Sequence, residues 1–210
     1  LDIPKLVFLI LFLILYLVML QSDPDYYWHL MTGKYIFEQH ALHHSDIFSY
    51  TQFGKPWVLH EWLFQVALYA VYKWLGPVGV NLVTTLLGML ALYIVYSAAR
   101  RLTTGSLIAT FTSIVFFVFL IPTISPRPQL FTFILFALFL SLLLGYKYFH
   151  NSKHLYFMPL LMVVWVNTHG GYVIGIVLLA LFSLSEWLSY RLLEKPPGSE
   201  HTPPPTRLAL

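Results

Sequence analysis

Acidic and histidine side chains occur at the spacing of a catalytic or metal site directly after the first apolar run. Asp23 and Asp25 flank Pro24, and His29 follows Asp25 by four residues, which places the two on one face of a helix. A carboxylate can accept a proton from a hydroxyl or an amine, and a pair can hold a divalent cation, Mg²⁺ or Mn²⁺, that binds phosphate. Alternatively, the acidic residues cap the helix that follows. Asp23 and Asp25 are therefore candidate catalytic residues or metal ligands, with His29 as a candidate substrate-binding residue.

His60 and Glu61 form a second polar pair, at the start of an amphipathic stretch. One interpretation is a further acid–base or metal-ligand pair, and the other is capping of the end of an interfacial helix. A histidine-rich segment lies upstream of this pair, with His40, His43, His44 and Asp46. Its composition is typical of a metal cluster, but its spacing fits no tight zinc pattern, which favours a solvated loop.

Arg127 is the only charged residue between two long apolar runs. Pro126 and Pro128 flank it and end the helices on both sides, which leaves a short turn followed by Gln129. A guanidinium can fork onto two phosphate oxygens, so this turn is either an anion-binding site or the place where an arginine snorkels to the membrane interface. Arg127 and Gln129 are candidate substrate-binding residues.

The segment Asn-Thr-His-Gly-Gly at residues 167–171 interrupts another apolar stretch. Non-helical backbone at membrane depth occurs where it is buried in protein or lines a cavity, and a histidine there is a functional candidate. His169 is therefore a candidate substrate-binding residue, although a plain helical hairpin is the alternative. Gly170 and Gly171 permit close approach of a ligand or of a neighbouring helix.

The elements that position these residues follow from an unusually apolar composition. Hydrophobic residues make up 58% of the chain and charged residues 10%, against about 25% charged in an ordinary soluble domain. Mean hydropathy is +0.72. The absence of cysteine excludes disulfides and thiolate metal sites, and no basic stripe predicts binding to nucleic acid. The composition predicts an all-α, polytopic transmembrane helical bundle embedded in the lipid bilayer.

Six runs are candidate spans, because about 20 apolar residues in a helix cross the bilayer core. They comprise residues 6–21, 78–98, 106–121, 130–146, 156–166 and 173–190. A seventh, amphipathic stretch at residues 59–75 either crosses or lies at the interface. If it does not cross, Lys and Arg gather on the cytoplasmic side, and the four polar clusters described above share the external side. We therefore prefer six spans to seven, with the N-terminus cytoplasmic.

The bundle occupies residues 1–194 in this interpretation. The run that follows Lys5 is expected to be an uncleaved anchor, because no small-residue cleavage site follows it. Residues 22–59 form the first external loop, which contains an aromatic-rich juxtamembrane helix at residues 26–39. The Pro-rich segment at residues 195–210 is expected to be disordered.

Several of these segments together resemble the GT-C membrane glycosyltransferases, a superfamily that includes protein O-mannosyltransferases, aminoarabinose transferases and oligosaccharyltransferases. The resemblance covers residues 5–191 and is strongest in the first loop. It is carried there by Asp-Pro-Asp at residues 23–25, the aromatic helix, and Trp-x-x-His-Glu-Trp at residues 57–62. Poorly characterised bacterial members carry similar His-Glu-Trp-Leu, Arg-Pro-Gln and His-Gly-Gly segments. A second acidic site that the family carries has no counterpart here, because residues 125–129 hold no carboxylate.

The resemblance implies transfer of a sugar from a polyprenyl-phosphate carrier to a lipid, glycan or protein acceptor, on the periplasmic face of a bacterial inner membrane. Asp25, with Asp23 as the alternate, would be the catalytic base or a metal ligand at the donor. The chemistry of the guanidinium, and not the resemblance, adds that Arg127 would bind phosphate. The side chains expected to shape the pocket are those of His60, Glu61 and His169. The alternative functions are a transporter or flippase-like protein and a non-catalytic subunit of a membrane assembly.

Overall fold

A computed structural model describes residues 2–18, 24–123, 125–150 and 152–193 of the chain. The all-α class is confirmed for these ranges, where the only strand-like pairing is an isolated bridge between Ser45 and Pro56. Asp23 and the tail at residues 195–210, for which disorder was expected, lie outside the described residues. The α-helices are α1 (Ile3–Val18), α2 (Pro24–Gln39), α3 (Trp62–Leu102), α4 (Ser106–Leu120), α5 (Gln129–Phe149), α6 (Met158–Thr168) and α7 (Tyr172–Leu193).

Three of the described helices, α3, α5 and α7, are long and apolar enough to cross a membrane. The helices α1 and α4 are apolar but shorter. Large apolar side chains such as Leu181 and Leu184 on α7 are at least half exposed, as expected for a surface that faces lipid. These helices support the predicted membrane class, whereas the number of spans stays a prediction. The helix expected at residues 26–39 is confirmed as α2 and begins two residues earlier.

A sharp bend divides α3 and explains why its sequence is ambiguous. Gly76 has φ 67° and ψ −171°, a conformation that favours glycine, and Pro77 then begins a new helical run. The amphipathic stretch at residues 59–75 is therefore neither an isolated helix nor a straight continuation of the next apolar run. At a rise of about 1.5 Å per residue, its helical part before the bend is about 20 Å long. This length is shorter than the thickness of the bilayer core, which is about 30 Å.

The two parts of α3 pack mainly in different hydrophobic clusters, although Val80, just after the bend, belongs to the same cluster as Phe64 and Leu68. Before the bend, Phe64 and Leu68 pack with Leu30 of α2. The helices approach very closely there, and only glycine fits at residue 33. A Cβ atom on Gly33 would collide with the backbone carbonyl of Gln65. After the bend, α3 packs with α1, α4 and α5 through Leu11, Leu15, Ala91, Leu92, Ile94, Phe117, Leu120, Leu130, Ile134 and Ala137. The part of α3 before the bend therefore packs on α2, and most of the part after the bend packs in the apolar bundle.

The histidine-rich segment between α2 and α3 is a structured loop. The Asp46 carboxylate accepts hydrogen bonds from the Phe48 and Ser49 backbone N–H groups and from the Ser49 hydroxyl, which together lower the pKa of Asp46. His43 is also buried, between the rings of Tyr35 and Phe48. The expectation of a solvated loop is therefore wrong for His43 and Asp46, because local hydrogen bonds and aromatic packing fold the segment on itself.

Candidate functional site

Asp25 and Arg127 form an ion pair that joins the start of α2 to the turn before α5. The distance from Asp25 Oδ2 to Arg127 Nη2 is 2.9 Å. A tight turn positions the arginine, since its backbone N–H donates to the Ser125 carbonyl at 2.6 Å and its own carbonyl accepts from Leu130 at 3.3 Å. The Asp25 side chain is 59% exposed and that of Arg127 31%, so the pair borders solvent. A phosphate could therefore reach this guanidinium from outside.

Glu61, directly before α3, is surrounded by three imidazoles from separate parts of the chain. Its carboxylate oxygens lie 3.5 Å from His60 Nε2, 3.8 Å from His29 Nδ1 and 3.9 Å from His169 Nε2. Burial raises the pKa of Glu61, and the charge of Asp25 adds to this effect, while His60 opposes it. The side chain is 17% exposed, so Glu61 is a partly buried carboxylate with an enhanced affinity for a proton.

His29 is held in place by α3. It is buried, packs edge-on against the ring of Phe64, and accepts a hydrogen bond at Nδ1 from the Gln65 side-chain amide at 3.3 Å. Gln65 lies one helical turn after Glu61, so a single face of α3 presents both residues to α2. Gln65 lies in the amphipathic stretch at residues 59–75 and is not among the site residues that the sequence predicts.

His169 is fixed in one tautomer by groups that the sequence interpretation missed. Its Nδ1 accepts from the Gly171 backbone N–H at 3.1 Å and lies 2.7 Å from the Thr132 hydroxyl. Thr132 Oγ1 in turn accepts from Trp165 Nε1 at 2.9 Å, and because the Gly171 N–H already makes Nδ1 an acceptor, the Thr132 hydroxyl contacts that nitrogen as a donor. Because Nδ1 is an acceptor, the neutral ring carries its proton on Nε2, which faces Glu61. Burial, with a smaller contribution from His60, lowers the pKa of His169 and favours this neutral form.

The connection between α6 and α7 is tied to the start of α3 by a second contact. Trp62 Nε1 donates to Asn167 Oδ1 at 2.8 Å. A Cβ atom on Gly170 would lie 3.7 Å from the His60 ring, an ordinary van der Waals distance, so the glycine lies next to the imidazole. The break after α6 therefore belongs to the same site as Glu61.

The structure brings six of the eight predicted site residues together: Asp25, His29, His60, Glu61, Arg127 and His169. Gln129 is half-buried at the start of α5, and none of its described hydrogen bonds joins it to Glu61 or Asp25. Its Oε1 atom is buried without a hydrogen-bond partner among the described residues. Asp23 lies outside the described ranges. Thr132, Trp165 and Gln65 are the additional residues that the structure assigns to the site.

The described residues do not favour a divalent cation at this site. Within the described ranges, no group of three or more His, Asp or Glu side chains has an arrangement that could hold a metal ion, although three histidines contact Glu61. The guanidinium of Arg127 also lies against Asp25 Oδ2, where a second cation would be repelled. The predicted Asp23–Asp25 metal pair stays a prediction, because Asp23 is not described.

The arrangement combines a guanidinium, two carboxylates and a neutral imidazole that donates from Nε2. Such a set can bind a phosphate group, accept a proton and hold hydroxyl groups in a defined orientation. Comparisons with family models, with curated proteins and with solved structures give no match. The geometry of the site and the sequence resemblance therefore carry the functional conclusion.

Proposed function

We propose that the chain is a membrane glycosyltransferase that moves a sugar from a polyprenyl-phosphate carrier to a lipid, glycan or protein acceptor. The observation that carries the proposal is the meeting of four separate polar segments in one place. Asp25, Glu61, Arg127 and His169 come from four parts of an otherwise apolar chain. Ionisable groups beside apolar helices are costly and mark sites of function, and a lipid-linked donor requires a site beside the bilayer.

Arg127 and Asp25 act on the donor phosphate and on the acceptor. A phosphate that binds the guanidinium replaces Asp25 as its partner, which frees the carboxylate to act as the base. As the acceptor oxygen bonds to the anomeric carbon, the bond from that carbon to the phosphate oxygen breaks. Polyprenyl phosphate leaves with the electron pair, and the proton of the acceptor hydroxyl passes to Asp25.

Glu61 and the imidazoles orient hydroxyl groups in this proposal. A sugar presents hydroxyls that both donate and accept, and the partly buried Glu61 carboxylate supplies the acceptor. His169 supplies a donor from Nε2, because Thr132 and Gly171 occupy its other nitrogen. Hydrogen bonds formed away from water discriminate strongly against substrates that lack the matching hydroxyl.

We also propose a topology of six spans. In this topology the N-terminus is cytoplasmic, and the site lies on the periplasmic face of a bacterial inner membrane. Its support is the clustering of Lys and Arg at the opposite helix ends and the short helical part of α3 before Gly76. In this topology that part lies at the interface with α2, and α3 crosses after the bend.

Turnover of a polyprenyl-phosphate sugar by the protein in membranes tests the proposal. We expect Asp25→Asn to reduce the release of polyprenyl phosphate by about 100-fold or more, the contribution of a positioned acid–base group. Asp2→Asn is the matched control, since this carboxylate pairs with Lys5 at the exposed start of α1. If the wild-type chain turns over the donor and neither Asp25→Asn nor Asp23→Asn slows it, these residues are not catalytic. An inactive wild-type chain would overturn the proposal itself.

A transporter is the second candidate, and the break between α6 and α7 favours it. Transporters place substrate sites at interrupted helices, and α6 contains only 11 residues before His169. An alternating-access mechanism requires the site to be reached from both sides of the membrane in turn. A transferase site is reached from one side only, so accessibility separates the two functions.

A further inference from the structure

A cavity of about 390 Å³ lies at the opposite end of the bundle from the candidate site. Its wall combines polar donors with apolar side chains, and its lining residues are Arg101, Ser141, Leu142, Gly145, Phe149 and His154. They come from the end of α3, the second half of α5 and the short 3-10 helix before α6. Thr132, in the candidate site, precedes Gly145 by 13 residues along α5, which separates the two levels by about 20 Å.

The charges at this end of the bundle favour an anion. The ring of Phe8 packs against Tyr96, which brings the start of α1 to the end of α3. The acidic side chains described there are Asp2 and Glu186, and each is neutralised, by Lys5 and Lys147 respectively. The cations Arg100, Arg101, Lys153 and Arg191 then leave an excess of positive charge.

The cavity itself has the chemistry of a phosphate site. The Arg101 guanidinium has no hydrogen bond or ion pair with the described part of the chain, and none of the six lining residues is acidic. Ser141 and His154 add donors that suit phosphate oxygens. Gly145 leaves open space, since a Cβ atom at this position would meet nothing within 4 Å. The side chains of Leu142 and Phe149 provide an apolar wall beside these polar groups.

We propose that this cavity binds the phosphate group of an anionic phospholipid. Arg101 pairs with the phosphate, Ser141 and His154 donate to its remaining oxygens, and the apolar wall contacts the start of the acyl chains. A lipid is the source that the position favours, because the cavity lies at the ends of apolar helices, where headgroups are located. The site is independent of sugar transfer and makes no use of Asp25 or Glu61.

Native mass spectrometry of the full chain with phosphatidylglycerol and phosphatidylcholine tests this site. We expect the wild-type chain to retain phosphatidylglycerol preferentially, and Arg101→Gln to weaken that binding by about tenfold. Arg100→Gln is the matched control, because it removes the same charge from the neighbouring residue. Arg100 does not line the cavity, and its Nη1 donates to the Thr104 carbonyl at 3.4 Å. We expect this control to change binding less than twofold.

A second variant tests the site without altering charge. Gly145→Leu places a side chain in the open space of the cavity, so it should abolish the specific retention of phosphatidylglycerol. Because leucine favours a helix more than glycine does, the chain should stay folded. If Arg100→Gln and Arg101→Gln weakened phosphatidylglycerol binding equally, the attraction would be diffuse and electrostatic, and the proposal would be overturned. Full retention in Gly145→Leu would also overturn it. So would inorganic phosphate that binds the wild-type chain as tightly as phosphatidylglycerol, since the ligand would then be the free anion.

Discussion

Thr132 connects three parts of the candidate site through a single hydroxyl, which accepts from Trp165 and donates to His169. Thr132→Val keeps the shape of the side chain and removes both hydrogen bonds. We expect a loss of about 1–3 kcal/mol in the free energy of unfolding, because the buried Trp165 N–H loses its acceptor. Nitrogen NMR should in addition show a changed Nδ1 signal of His169, because this nitrogen loses one of its two donors and keeps only the Gly171 N–H. Thr132→Ser is the control that keeps the hydroxyl, and a Thr132→Val protein with unchanged stability and an unchanged Nδ1 signal would contradict this role.

The polar residues of the site differ in how well a sequence can identify them. The sequence identifies Asp25, Glu61, Arg127 and His169 because ionisable groups are conspicuous beside apolar runs, and the structure brings them together. It does not identify Thr132, because a threonine inside an apolar helix usually bonds to its own backbone. Its role depends on α5 and α6 packing so that the hydroxyl meets Trp165 and His169, which no local pattern encodes.

At the scale of elements, the contact between α2 and α3 positions His29 beside Glu61. Gly33→Ala places a methyl group against the Gln65 carbonyl, and we expect it to lower the free energy of unfolding by about 1–2 kcal/mol. It should also weaken donor binding, since α2 moves away from Glu61. Thermal unfolding in detergent and the KM for the donor measure the two effects.

Gly145→Ala provides the matched control for that substitution. It is also a glycine in a helix, but a Cβ atom there meets nothing within 4 Å. We expect it to stabilise the protein by up to about 1 kcal/mol, through helix propensity alone. If both alanine variants behaved alike, the close approach of α2 and α3 would not be a determinant of the site.

The helices themselves were largely predictable, because long apolar runs leave few alternatives in a membrane. The sequence does not predict in the same way how the helix at residues 59–75 is oriented relative to the apolar run that follows it. A glycine followed by proline predicts a break, but it does not say whether the chain turns away or continues after a bend. The packing of Leu68 on α2 and of Leu92 on the bundle distinguishes these outcomes.

For the whole molecule, the absence of cysteine makes sidedness directly measurable. Single cysteines at Asp25 and His60 should react with a membrane-impermeant maleimide from one side of sealed vesicles. Cysteines at Arg101 and His154 should react from the other. This follows from the proposed topology, in which α3 crosses the bilayer after Gly76. Labelling of all four positions from one side would contradict that topology, and labelling that changes side with the donor would favour transport.

The hydrogen bond between Trp62 and Asn167 also bears on how the protein is made. It joins residues 105 positions apart, so the start of α3 reaches its partner only after α4, α5 and α6 have left the ribosome. Until then, a growing chain contains Asp25 and Glu61 without His169 beside them. The pocket is thus completed late in synthesis, and chains that stop before α6 carry the acidic residues without the histidine that completes the site.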